Sequence, residues 1–177
     1  MRPAAHILLI LTLWAMSGCI LSPPVEAETP TNRAPYLNED DALPQERVVV
    51  LTDPVDGEDR TVQLSMNRLY DPDDEAQLYY AWYSPRLGLL DESSVGRVSA
   101  GEAFDAFGTY YAYGGSGVRQ IVNPCDPRLL GVAQETVWLY VSDEDWSRTG
   151  AEGVEEQPGA FKVSYAWVLD LSQITCQ

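Results

Sequence analysis

The chain has 177 residues, 45% hydrophobic and 10% aromatic, with 11 Lys plus Arg against 27 Asp plus Glu and a formal charge of −16. That length suits one domain with a sizeable core, and the apolar content is too high for a disordered acidic chain. The charge repels nucleic acid and anionic lipid surfaces, so no nucleic-acid role is expected.

Arg2, the apolar run 7–14 and Met16-Ser17-Gly18-Cys19 follow the layout of an export signal. The run is too short to persist as a membrane-spanning helix. Met-Ser-Gly-Cys resembles the bacterial lipobox, which implies that residues 1–18 are a signal peptide and that Cys19 is lipidated. The alternative is an ordinary signal peptide cut before Glu28. Either way the domain leaves the cytoplasm. Ile20, next to the cysteine, argues against retention at the inner membrane, so the expected location is a bacterial cell envelope, at the outer membrane.

Removing residues 1–18 also removes His6, the sole histidine. Histidine-based nucleophile triads, most zinc sites and the commonest general base go with it. Besides Cys19, only Cys125 and Cys176 remain. In an oxidising compartment this pair reads as a disulfide. It would close a loop of about 50 residues, worth roughly 4 kcal/mol in the chain-entropy model. A catalytic thiol is the rival reading, but no histidine is left to activate it.

Residues 19–35 hold Pro23, Pro24, Pro30 and Pro35 without apolar periodicity, which predicts an extended tether and a folded domain over 36–177. The β-branched run 47–51 suits a first strand, and Asp56-Gly57 is a hairpin signal. Within 61–66, Val62, Leu64 and Met66 share a face. Asp71-Pro72-Asp73-Asp74 suits a turn, because proline presets one backbone angle and aspartate bonds to the backbone two residues on. In the strand that follows, Leu78, Tyr80 and Trp82 point one way and Tyr79, Ala81 and Tyr83 the other, with Trp82 as core anchor.

Residues 84–117, with scattered Gly, Ser and Pro, read as an irregular insertion. Within it, Ser99-Ala100-Gly101-Glu102 has the capping-box form, which predicts a short helix over about 100–107. The tyrosine-rich 109–113 reads as a strand. Gly114-Gly115-Ser116-Gly117 lacks the lysine and hydroxyl residue of a phosphate loop and reads as a turn. A strand at 118–122 meets the corner Pro124-Cys125-Asp126-Pro127. Residues 136–142 alternate, with Val137, Leu139 and Val141 on one face, and lead into Asp143-Glu144-Asp145-Trp146. After a polar loop, 161–171 place Phe161, Val163, Tyr165, Trp167, Leu169 and Leu171 on one side.

About seven short strands with turn signals predict an all-β antiparallel sandwich. The pattern resembles immunoglobulin-like domains of the PKD and cadherin type. In those, an Asp-Pro-Asp turn precedes a strand ending in aromatic-Trp-Tyr, here 71–83, and a later strand ends in Val-Ser-Asp, here 141–143. With the lipobox, Asn-Arg-Ala-Pro-Tyr at 32–36 and the terminal Trp and Cys, the whole is similar to uncharacterised lipoproteins of myxobacteria and their relatives. That resemblance implies an immunoglobulin-like β-sandwich and no enzyme activity, and the tyrosine-rich insertion departs from its simple pattern.

In such a sandwich the turns at Asp71 and Asp143 are the B–C and F–G loops, at one end of the fold. Asp71, Asp73, Asp74, Glu75, Asp143, Glu144 and Asp145 would then converge. Calcium takes roughly six to eight hard oxygen ligands, so this cluster is a candidate calcium site. Neither loop has full Asp-x-Asp-x-Asp-Gly spacing, and two solvated acidic turns are the alternative. A second candidate is aromatic. If the Trp82 strand pairs with 136–142, Tyr79 and Tyr83 sit beside Trp138 and Tyr140 on the outer face, a partner or ligand surface unless Tyr110, Tyr111 and Tyr113 cover it. Only Asp170, near a strand end, offers a carboxylate in an apolar segment. The sequence thus predicts a non-enzymatic, membrane-anchored module that binds or scaffolds an envelope protein without a cofactor. The alternative is a calcium-dependent carbohydrate-binding or adhesion module.

Overall fold

Period-two order around Trp82 demands one buried face, and the larger sheet is built on that strand. The computed structural model describes residues 32–53, 61–73, 77–98, 102–104, 108–115, 117–150 and 153–176. Expectations about the signal, Cys19, residues 19–31 and the Asp56-Gly57 turn lie outside the described residues. The larger sheet runs β2 (Val48–Thr52), β13 (Lys162–Gln173), β10 (Gln134–Ser142), β5 (Gln77–Ser84), β6 (Gly88–Gly96). All its pairings are antiparallel except β2 with β13, which is parallel. A smaller antiparallel sheet has the order β1 (Ala42–Leu43), β3 (Val62–Met66), β9 (Val118–Val122).

The two sheets share one apolar cluster. Ala42, Leu64, Met66, Val118 and Val122 of the smaller sheet are buried with Leu78, Trp82, Leu139, Trp167 and Leu169 of the larger. The fold is therefore the expected all-β one, with sheets layered over a common core. At its centre the Trp82 and Trp167 rings stack, centroids 5.4 Å apart at 29°, and Tyr165 meets Trp167 edge-on at 4.5 Å. Trp167 Nε1 donates to Pro44 O at 2.9 Å, fixing the segment between β1 and β2 against the core. The expected disulfide between Cys125 and Cys176 is formed, with Cα atoms 5.4 Å apart.

Three local expectations are corrected. First, β2 does not form a hairpin with β3: the two lie in different sheets, because Val49 and Leu51 pack beneath the larger one. Second, 84–117 is not irregular. It contains β6, β7 (Glu102–Phe104) and β8 (Gly108–Tyr113), and β8 lies between β7 and β4 (Leu69–Asp71) in a third sheet. β6 escapes a periodicity reading because it is an edge strand whose Asp91, Glu92, Ser93 and Ser94 are all exposed. Third, the described part of the capping-box segment is not helical: Glu102–Phe104 is a strand paired with β8. A helix of two turns is marginal by itself, whereas the tyrosine strand offers a hydrogen-bonding edge.

The glycine cluster is a turn, as expected. Gly117 has φ +72°, and a Cβ there would stand 2.9 Å from Met66 O, so only glycine fits. The polar loop after β10 holds a further hairpin, β11 (Arg148–Gly150) with β12 (Gly153–Glu155).

Tyr70, buried in β4, donates from its hydroxyl to Asp41 Oδ2 at 2.8 Å. Burial, and then the Asp41 carboxylate, push its pKa up to about 12 from 10.0. The folded state thus favours the protonated phenol. Its contribution is complete below pH 10 and fades as pH rises toward 12. Urea unfolding across that range should lose stability more steeply for the wild type than for Tyr70→Phe, and equal slopes would contradict the assignment.

Candidate functional site

The two acidic turns come together, because consecutive residues bind both. Asn32 Nδ2 donates to Asp143 Oδ2 at 2.6 Å, and Arg33 grips Asp73: Nε and Nη2 reach Oδ1 at 3.0 and 2.9 Å, and its backbone N reaches Oδ2 at 2.7 Å. Asp143 Oδ1 also accepts from Phe161 N at 2.9 Å, and Asp71 Oδ1 accepts from Asp73 N at 2.6 Å, closing the aspartate turn. Asp71 and Asp143 are buried, whereas Glu144 and Asp145 are exposed. Asp74 and Glu75 lie outside the described residues.

The carboxylates at this pole are thus held by the chain's own amide, guanidinium and backbone donors. Among the described residues, no three His, Cys, Asp or Glu side chains are arranged to hold a metal ion. Sequence reasoning placed Asn32 and Arg33 at the end of a tether and missed this clasp. The signal was in view as Asn-Arg-Ala-Pro-Tyr, but nothing in its composition named the aspartates it meets.

The aromatic face is assembled as its register requires. β10 pairs with β5 so that Trp138 faces Tyr83 and Ser142 faces Tyr79. Trp138 and Tyr140 stack on the outer side, centroids 5.9 Å apart and only 10° from parallel. Lys162 Nζ sits 5.5 Å from the Tyr140 ring centre. Desolvation, and then the nearby Tyr83, raise the Tyr140 pKa. Leu89 lies opposite Tyr83, and Ala166 opposite Trp138, which extends the apolar band. Beyond them Val48 and Val50 of β2 are 51% and 53% exposed.

The insertion tyrosines are engaged elsewhere. Tyr113 is fully buried in the core, the Tyr110 ring lies 6.0 Å from that of Tyr36, and Arg97 sits over Tyr111 at 5.2 Å. Trp138, Tyr140 and Tyr83 stay half-buried. Tyr79 lies at the edge of this band, in a separate cleft of about 210 Å³ with Glu92 and Trp146.

The remaining carboxylate is Glu135, which the sequence reading passed over. It is buried and serves as a staple: Ser84 Oγ donates to its Oε1, Arg86 N does so at 3.1 Å, and Arg86 Nε lies 3.3 Å from Oε2. Asp170 is not held in an apolar pocket: hydrogen bonds from Ser172 lower its pKa. No family model, curated protein or solved structure matches this chain.

Asp143 is the most consequential member of the acidic pole, because it is buried and accepts from both Asn32 Nδ2 and Phe161 N, so that its removal breaks two hydrogen bonds to a charged group. Asp143→Ala should cost about 3 kcal/mol in urea unfolding. A loss below about 1 kcal/mol, the ordinary value of an exposed pair, would contradict the clasp.

Proposed function

We propose that this chain is an exported envelope lipoprotein, lipidated at Cys19 and lying at the outer membrane, whose immunoglobulin-like domain is a non-catalytic protein-binding module. Its sheet order supports the immunoglobulin-like reading. β2-β13-β10-β5-β6 facing β1-β3-β9 across one core is the two-sheet order expected of such a sandwich. The Met-Ser-Gly-Cys box and the likeness to myxobacterial lipoproteins support the anchor.

One observation carries the binding role: the half-buried, stacked Trp138–Tyr140 pair with Tyr83 beside it, on a face that the insertion tyrosines do not reach. Aromatic residues of this kind supply large contact area with little side-chain entropy to lose, and they concentrate binding energy at interfaces. A partner that buries this face excludes water from an aromatic band bordered by Lys162 and Glu92.

The test is co-purification from detergent-solubilised membranes, comparing the wild type with Trp138→Ala/Tyr140→Ala. An envelope protein should accompany the wild type and fall about tenfold or more with the double variant, while the circular dichroism of the domain stays unchanged. Identical partner profiles would overturn the proposal.

The near-parallel Trp138–Tyr140 platform favours one further reading, a carbohydrate-binding or adhesion module, since a flat aromatic pair suits the apolar face of a sugar ring. In that reading, adding glycans shifts tryptophan fluorescence, and a calcium requirement would place the ion at Asp71, Asp73, Asp74, Asp143 and Asp145.

A further inference from the structure

The pole opposite the acidic turns holds a second feature. β10 runs from Gln134 to Ser142, so about 27 Å separates its two ends. Around the Gln134 end, the loop before β10 and the tail after β13 form a half-open pocket of about 510 Å³, lined by apolar side chains together with Ser172, Thr175 and backbone, within the range of roughly 300–1,000 Å³ typical of ligand sites. Its floor is Leu129 and Leu171, 2% and 6% exposed. Its walls are Leu130, Val132 and Ile174, with Cys176 of the disulfide at one side.

The pocket is preformed. Val132 N donates to Leu129 O at 3.0 Å, Leu171 N to Ala133 O at 2.9 Å and Ile174 N to Leu171 O at 3.1 Å. The disulfide joins the tail to the corner at Pro124. Little ordering entropy remains to be lost on binding. Leu130 is 57% exposed at the mouth, an apolar side chain held in water.

Charge selects the occupant. No charged residue lines the pocket, although the chain as a whole carries −16. Carboxylates stand just outside it: Asp53 Oδ1 accepts from Thr175 N at 2.7 Å, and Asp170 Oδ1 accepts from Ser172 N at 3.0 Å, both donors belonging to lining residues. Arg128, the nearby cation, is paired to Asp126 at 2.9 Å. An uncharged socket inside an anionic rim complements an apolar segment with cationic ends, and it repels an anionic lipid or acid.

We infer that this pocket docks an apolar peptide segment of a partner protein flanked by lysine or arginine. The inference makes no use of the aromatic face and does not depend on it. The two surfaces lie on different parts of the domain, so one partner can be bound at the sheet while another is held at the pole.

The experiment selects a random dodecapeptide phage library on the immobilised full chain and measures the enriched peptides by fluorescence anisotropy. Enriched sequences should pair an apolar core with flanking Lys or Arg. Leu130→Asp should weaken them at least about tenfold. Trp138→Ala should leave them unchanged, and added salt should weaken them. Leu130 is exposed, so its variant should fold, with near-ultraviolet circular dichroism matching the wild type.

Failure to enrich such peptides, or equal binding to Leu130→Asp, would overturn the inference. Loss of binding with Trp138→Ala would assign the peptides to the sheet face and also overturn it. A wild-type dimer that becomes a monomer with Leu130→Asp in sedimentation velocity would replace the peptide by a second copy of the chain.

Discussion

The structure depends on the contact between Trp82 and Trp167. The two indoles come from β5 and β13, strands that are not neighbours but flank β10, and they meet beneath it with rings 5.4 Å apart. Burying one such ring removes about 150–250 Å² from water, or roughly 4–6 kcal/mol at 25 cal/mol/Å². Among the described residues Trp82 Nε1 has no hydrogen-bond partner, an omission that costs about 1–3 kcal/mol. Burial outweighs that cost, so the ring stays inside. With both rings in place, the side-chain order of β5, β10 and β13 is fixed, and with it the outward direction of Tyr83, Trp138 and Tyr140.

The two ends of the sheet are closed by different chemistry. At one pole Asn32 and Arg33 bind Asp143 and Asp73 through charge-assisted hydrogen bonds, drawing the start of the domain onto both turns. At the other, the Cys125–Cys176 bridge and the Asp53–Thr175 bond secure the tail after β13. The middle of the larger sheet is left open on its outer side, and that is where the apolar band lies. A sandwich clamped at both ends presents such a face rigidly, so little conformational freedom is lost when it is covered.

Much of this was legible in the residues, and the exceptions have physical reasons. The all-β class, the Trp82 anchor and the sulfur bridge follow from strict alternation and from the pair Cys125 and Cys176, whereas the pairing of β5 with β10 entered as an assumption that the register bears out. β6 was not legible, because an edge strand interrupted by four consecutive exposed residues, 91–94, shows no period to detect. The strand Glu102–Phe104 was misread as helix, because a capping box describes a helix start only where the following turns have an apolar face to bury. Long-range partners were the least legible. No local pattern in Asn-Arg-Ala-Pro reveals that Asn32 meets Asp143, 111 positions away, or that Glu135 meets Ser84 across 51.

The central claim is that β5, β10 and β13 form one cooperative layer around the two tryptophans. Native-state hydrogen exchange, followed by nuclear magnetic resonance on the folded chain, tests it most directly. Amides of Trp82, Leu139 and Trp167 should exchange only through global opening, with a shared free energy equal to that of urea unfolding. Exchange at Trp82 or Trp167 markedly faster than at Leu139 would mean that the rings do not hold the layer together, and would contradict the account.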